Sequence, residues 1–139
     1  MKRRFTTGLI LMGLLLAMLS ACGPQPPQKV EITLSDFKIE SSITQFKVGQ
    51  SYEFVITNQG AINHEFMIMP PLAMDQMNMT MEMMDAQALH MVEQENLPAG
   101  ASTTFEFTFP KESAGESLEF SCHVPGHYEQ GMKLPITVN

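Results

Sequence analysis

The sequence predicts an all-β domain, a sandwich or barrel built from short strands, and three observations carry that expectation. Apolar and polar residues alternate with a period of two in successive runs, most clearly in SYEFVITN at 51–58 and TTFEFTF at 103–109. Clusters of Gly, Pro and Asn punctuate these runs, as at 58–60, 97–100 and 113–116. Residues 30–139 have room for seven or so such strands. A domain of this size buries roughly two-thirds of its unfolded surface, so it can stand without disulfides.

Taken in order, Val30, Ile32 and Leu34 alternate with polar residues, and Phe37 and Ile39 resume the pattern after a break at Ser35 and Asp36. This predicts one bulged strand or two short ones. A short strand is expected within 43–48, followed by a turn at 48–50. In 51–58, Tyr52, Phe54 and Ile56 share one face and Val55 takes the other. The turn at 58–60 leads into a further strand over 61–69. There His64, Phe66 and Ile68 fall on one face, with Glu65, Met67 and Met69 on the other. If Phe66 and Ile68 face the core, so does His64, and an inward imidazole needs a partner. Pro70 and Pro71 stop that strand.

Residues 72–94 break the β pattern. Nine methionines lie from Met67 to Met91, seven of them in this segment. Thr80 can cap a helix that aligns Met81, Met84, Ala88 and Met91 on one face, and a helix of about three turns is expected. Its methionines admit three readings: a cover for the sandwich, an adaptable docking surface, or, since soft thioether donors suit Cu(I), a metal site drawing on Met77, Met81 and Met84 with His90 or His123. Alternation returns at 103–109 and 117–122. The last strand, 132–138, carries Leu134, Ile136 and Val138 inward. Pro135 within it implies an edge, or a place where no ladder donor is needed.

The chemistry concentrates in FSCHVPGHYEQGM, residues 120–132. A thiol at Cys122, an imidazole at His127 and a thioether at Met132 follow one another at five-residue spacing. Pro125 and Gly126 occupy the centre of a type II turn that folds His127 back towards Cys122, and Gly131 permits a second tight bend. Sulfur and imidazole donors together favour copper, and two histidines, a cysteine and a weak axial methionine make a blue-copper set. The loop supplies one suitable histidine, so the second must come from elsewhere. One cysteine and two histidines also suit zinc, for which the methionine adds nothing.

The N-terminus reads as a targeting segment. Lys2, Arg3 and Arg4 precede an apolar run at 9–19, too short for a comfortable membrane span. Leu19-Ser20-Ala21-Cys22 then looks like a bacterial lipoprotein cleavage site. The resemblance implies a signal at 1–21, a lipid on Cys22, a Pro- and Gln-rich tether at 22–29 and a domain at 30–139. An ordinary secretory signal and an uncleaved anchor are the competing readings, and a Cys22–Cys122 disulfide is the alternative fate of the two thiols. Loss of the signal leaves five basic against fifteen acidic residues, a net charge of −10 with histidines neutral. That argues against nucleic acid as a partner and permits a basic one.

The runs NQGAINHEF, LPAGASTTFEFTF and FSCHVPGHYEQGMKLPITV resemble the cupredoxins, the small blue copper proteins, over residues 30–139, with a weaker match at 72–95. The Cys-x4-His-x4-Met spacing is similar to that of rusticyanin-like members. The resemblance implies a Greek-key β-sandwich with copper at one end, held by His64, Cys122, His127 and Met132. Glu65 departs from the Asn that plastocyanin and azurin carry after the first histidine, and alternation turns it outward. Alternation also points His123 away from Cys122, towards solvent. The expected function is that of an exported, lipid-anchored, monomeric one-electron carrier that meets redox protein partners. The alternative is extracytoplasmic copper sequestration or resistance, with copper donors and acceptors as partners. No enzymatic activity is expected: His-x-His pairs and a second cysteine near the site are both missing from the sequence.

Overall fold

The computed structural model describes residues 25–73 and 79–139. The expected signal at 1–21, Cys22 and Met77 lie outside the described residues. Among the described residues, nine strands form two sheets. One has four strands, in the order β2, β1, β4, β7: β1 is Gln28–Ser35, β2 Lys38–Ser41, β4 Ser51–Asn58 and β7 Ser102–Thr108. The other has five, in the order β3, β9, β8, β5, β6: β3 is Gln45–Phe46, β5 Phe66–Met69, β6 His90–Val92, β8 Leu118–Ser121 and β9 Lys133–Val138. The pairs β1–β4 and β3–β9 are parallel and the remainder antiparallel. The arrangement is a two-sheet, Greek-key sandwich, as the sequence predicts.

The core lies between the sheets because each inward row is apolar. Val30, Ile32 and Leu34 of β1, Tyr52, Phe54 and Ile56 of β4, Phe66 and Ile68 of β5, and Leu118 and Phe120 of β8 are all buried there. Phe120 packs against Phe46, Phe54 and Phe66 with ring centroids 5.7, 5.9 and 5.1 Å away. Edge-on and tilted ring pairs of this kind add to simple area burial. The Pro135 expectation holds: β3 pairs only with Thr137 and Val138, so Pro135 borders an unpaired stretch on that side.

Three local expectations need correction. Residues 36–37 form the tight turn between β1 and β2, with Phe37 in the left-handed region at φ 60° and its ring 40% exposed, so it is not a core strand residue. The expected strand at 61–69 begins only at Phe66, because 61–65 form a loop tied to other elements. The expected three-turn helix is a single turn, α1, Met81–Asp85. Thr80 caps it as expected, its hydroxyl accepting from the Met83 amide at 3.4 Å. The remainder of that methionine pattern is strand: Met91 lies in β6, paired with Met67 of β5. Pairing with an existing sheet edge satisfies the backbone more fully than two further isolated helical turns would.

Candidate metal centre

Three elements bring His64, Cys122 and His127 together at one end of the sandwich. Cys122 extends the inward row of Leu118 and Phe120 one step past β8. Residues 124–127 then form the expected turn, with the His127 amide donating to the Val124 carbonyl at 2.9 Å and Gly126 at φ 85°. Gly131, at φ 95°, makes the second bend. The loop is laced by its own backbone. The Cys122 amide donates to the Met132 carbonyl at 3.1 Å, and the Met132 amide donates to the His127 carbonyl at 3.0 Å. Met132 is fully buried in the same core as Cys122.

His64 arrives from the loop before β5. Its amide donates to the Leu97 carbonyl at 3.1 Å. Asn58 organises that loop from the end of β4. It is fully buried, and its side chain donates to the carbonyls of Ile62 at 2.8 Å and Leu97 at 2.9 Å while accepting from the Gly60 amide at 2.8 Å. Sequence reasoning treated Asn58 only as a turn residue. The available signal was its phase, since Asn58 continues the inward row of Tyr52, Phe54 and Ile56. Two further residues were missed. Asp36 Oδ1 lies 3.8 Å from His64 Nε2, and Gly60 sits so close that a Cβ there would fall 2.6 Å from the same nitrogen.

The donor atoms face one another. His64 Nδ1 and His127 Nδ1 are 3.2 Å apart, and Cys122 Sγ lies 3.9 Å from the first and 3.5 Å from the second. All three residues are buried. Such spacings suit atoms that share one ion at the roughly 2.0–2.3 Å bond lengths of first-row metals with nitrogen and sulfur. Among the described residues, His64 Nε2 has no hydrogen-bond partner. A proton on that nitrogen, facing Asp36, leaves the Nδ1 lone pair free for a metal, and a carboxylate behind a ligating histidine is the usual orienting device. Burial lowers the His64 pKa, with the neighbouring His127 reinforcing it and Asp36 opposing, so its imidazole is neutral at pH 7. Burial pushes the Cys122 thiol up to about 11, although the Glu65 and Val124 amides donate to its sulfur. A coordinated cation reverses that balance, since a ligating thiol is deprotonated outright. The pocket thus fits a soft or borderline cation.

Glu65 and His123 correct the expectation of exposure. Both lie on the outer face, as alternation requires, yet both are buried. Glu65 accepts the His123 amide at 2.6 Å and so braces the chain directly after Cys122. The His123 ring stacks on Tyr128 at 4.5 Å and its Nε2 lies 3.0 Å from Ser121 Oγ. Burial lowers its pKa to about 4 and raises that of Glu65. Of the residues considered for a secondary copper site, the four that lie among the described residues, Met81, Met84, His90 and His123, do not form one cluster. His90 stacks on Phe105 across the core at 3.8 Å, Met81 is exposed, His123 is held by Tyr128, and Met84 is buried beneath the insert.

Comparison with known proteins agrees with this geometry. The chain is 25% identical over 179 aligned positions to the copper-resistant cuproprotein CopI of Pseudomonas aeruginosa, covering 99% of this chain and 97% of that one. It is 31% identical over 110 positions to CopI of Rubrivivax gelatinosus, covering 78% of this chain and 65% of that one. The fold superposes on dithionite-reduced auracyanin from Roseiflexus castenholzii with a TM-score of 0.61 at 21% identity, covering 83% of this chain and 99% of that one. The pattern that defines the copper-binding proteins of the plastocyanin/azurin family matches residues 28–139. The chain belongs to that family and is a copper-binding cupredoxin.

Proposed function

We propose that this protein is an extracytoplasmic copper-tolerance protein that holds one copper ion through His64, Cys122, His127 and Met132. The observation that carries the reading is the buried convergence of two Nδ1 atoms and one sulfur, all within 4.8 Å of one another. The two CopI relatives, both called copper-resistant, support the physiological assignment. An acidic surface draws cations towards the domain. The His64 and His127 imidazoles and the Cys122 thiol need little movement to bind, so retention is tight and selective for soft cations. The reading places the protein outside the cytoplasm, as a monomer without catalytic turnover, anchored by lipid on Cys22.

A second reading, one-electron carriage between redox partners, draws on a specific observation. Phe37 is 40% exposed, and its ring meets the His127 imidazole edge-on at 5.3 Å, so one ligand lies a single ring away from the surface. Bound copper supplies a reversible Cu(I)/Cu(II) couple, and the laced loop holds the side chains still while charge changes. The test has two parts. Purified protein given one equivalent of Cu(II) should develop an intense visible thiolate band that Cys122→Ser abolishes. Deletion of the gene should then lower the copper concentration the host survives. Unchanged tolerance together with impaired electron flow would transfer the assignment to the carrier, and absence of the band would remove both readings.

A further inference from the structure

The outer face of the five-stranded sheet carries a second cluster of soft donors. Met67 and Met69 of β5 point away from the main core and are fully buried beneath the segment that bears α1. Met84 of α1 is buried against them, and Met79, Met91, Leu72 and Ala88 pack around the three. Five of these seven residues are therefore methionines. In the main core Met132 is the one methionine among the buried residues, and the remainder are aliphatic or aromatic apart from Cys122. Filling a gap between sheet and insert needs only hydrophobic volume, which Leu and Ile provide with better-defined rotamers. Methionine differs from leucine here in two respects, an unbranched flexible stem and a sulfur lone pair, and the lone pair is what can bind a metal.

The geometry permits convergence. Met67 and Met91 are direct partners across the β5–β6 ladder, so their Cβ atoms lie about 5 Å apart. Met69 is two residues along the same face, and α1 brings Met84 into the same cluster. An unbranched side chain with three rotors can swing its sulfur across such distances without moving backbone. The same face also carries a buried oxygen donor. Glu119 is the ladder partner of Met69, and its buried carboxylate is within the same face, accepting from the Tyr128 hydroxyl at 2.6 Å.

We propose that Met67, Met69, Met84 and Met91 form a second metal site, selective for Cu(I) and other soft monovalent cations and separate from the cluster at His64, Cys122 and His127. Thioethers are poor ligands for Cu(II) and zinc and good ones for Cu(I). The first site lies at one end of the sandwich and the second on the outer face of the five-stranded sheet, so each can be removed without the other.

Silver(I), a redox-inert stand-in for Cu(I), tests this in full-length protein with 13C-methyl-labelled methionine. Two equivalents should bind to wild type, and one should shift the methyl resonances of Met67, Met69, Met84 and Met91. Cys122→Ser should abolish the visible Cu(II) band yet keep those four shifts. A Met67→Leu/Met69→Leu variant, which conserves volume, should lose the second equivalent and keep the band. Cu(I) in anaerobic competition with a chromophoric chelator should give the same stoichiometries. Shifts confined to Met132, or a Leu variant that still binds two equivalents, would overturn the proposal. Should the Leu variant fail to fold, the wild-type methyl shifts decide alone.

Discussion

The two faces of the five-stranded sheet are built from the same strands and do opposite things. On the inner face, Phe66, Ile68, Leu118 and Phe120 meet rings from the other sheet, and Cys122 is the next member of that row. On the outer face, Met67 and Met69 lie beneath a short insert, and Glu119 and Ser121 meet Tyr128 and His123. Rigid rings with few rotors define one geometry, and the thiol inherits its position from them. Flexible thioethers beside buried polar groups tolerate rearrangement. Alternation along β5 and β8 thus separates a surface that fixes a site from one that adapts, at a distance of a single residue.

This contrast can be broken by substitution. The largest effect is expected for Phe120→Ala, which opens a cavity beneath Cys122 and should cost about 3–5 kcal/mol in urea unfolding. The volume-conserving outer change Met69→Leu should cost less than about 1.5 kcal/mol. Equal losses would show that both faces are packed alike. The next effect concerns the brace on the outer side of the ligand loop. Glu65→Ala leaves the buried His123 amide without its acceptor and should cost about 1–3 kcal/mol. Glu65→Gln keeps an acceptor oxygen, recovers most of that stability and, by removing a negative charge near the ligands, raises the copper reduction potential, measurable by voltammetry.

At the metal end, Gly60→Ala forces His64 Nε2, Asp36 or the loop to move, since the new Cβ would lie 2.6–2.7 Å from both side chains. Copper affinity should fall by roughly 10- to 100-fold, as for other losses of ligand orientation, whereas Gly60→Ala should leave the silver shifts of the outer methionines intact. The last effect concerns pH. The folded pKa of His123 is lowered to about 4, so its contribution is fully present above about 6.5 and is lost as pH falls towards 4. The raised pKa values of buried Glu65 and Glu119 act in the opposite sense, favouring the folded state as pH falls. The difference between wild-type apoprotein and His123→Gln isolates the histidine: wild type should lose stability relative to the variant between pH 6.5 and 4. A constant difference would contradict the burial of that ring.

Much of this was legible in the sequence, for identifiable reasons. Period-two runs marked β4 and β7 almost to the residue because one face of β4 is buried and one face of β7 half-buried, so the pattern cannot slip. Pro125, Gly126 and Gly131 announced the turns that assemble Cys122 and His127, because each turn demands a particular backbone conformation. The insert was misread because Met, Glu and Ala favour helix locally, whereas the free edge of β5 offered β6 a full ladder. Glu65 and His123 were assigned to solvent because alternation reports which face a side chain takes, and another segment then covered that face. Asn58 was overlooked because a turn residue and a buried hub look alike until the carbonyls of Ile62 and Leu97 arrive from elsewhere.

The direction of β1 has a mechanical consequence. The strand starts at Gln28, beside Gln50 and Tyr52, and ends next to Asp36, which backs His64. Eight residues of extended chain span about 26 Å. Whatever precedes Gln28 therefore enters at the pole opposite the histidines. An anchor attached there would present the donor cluster outward, away from its own lipid bilayer, and a partner could dock on that tip without touching the tether.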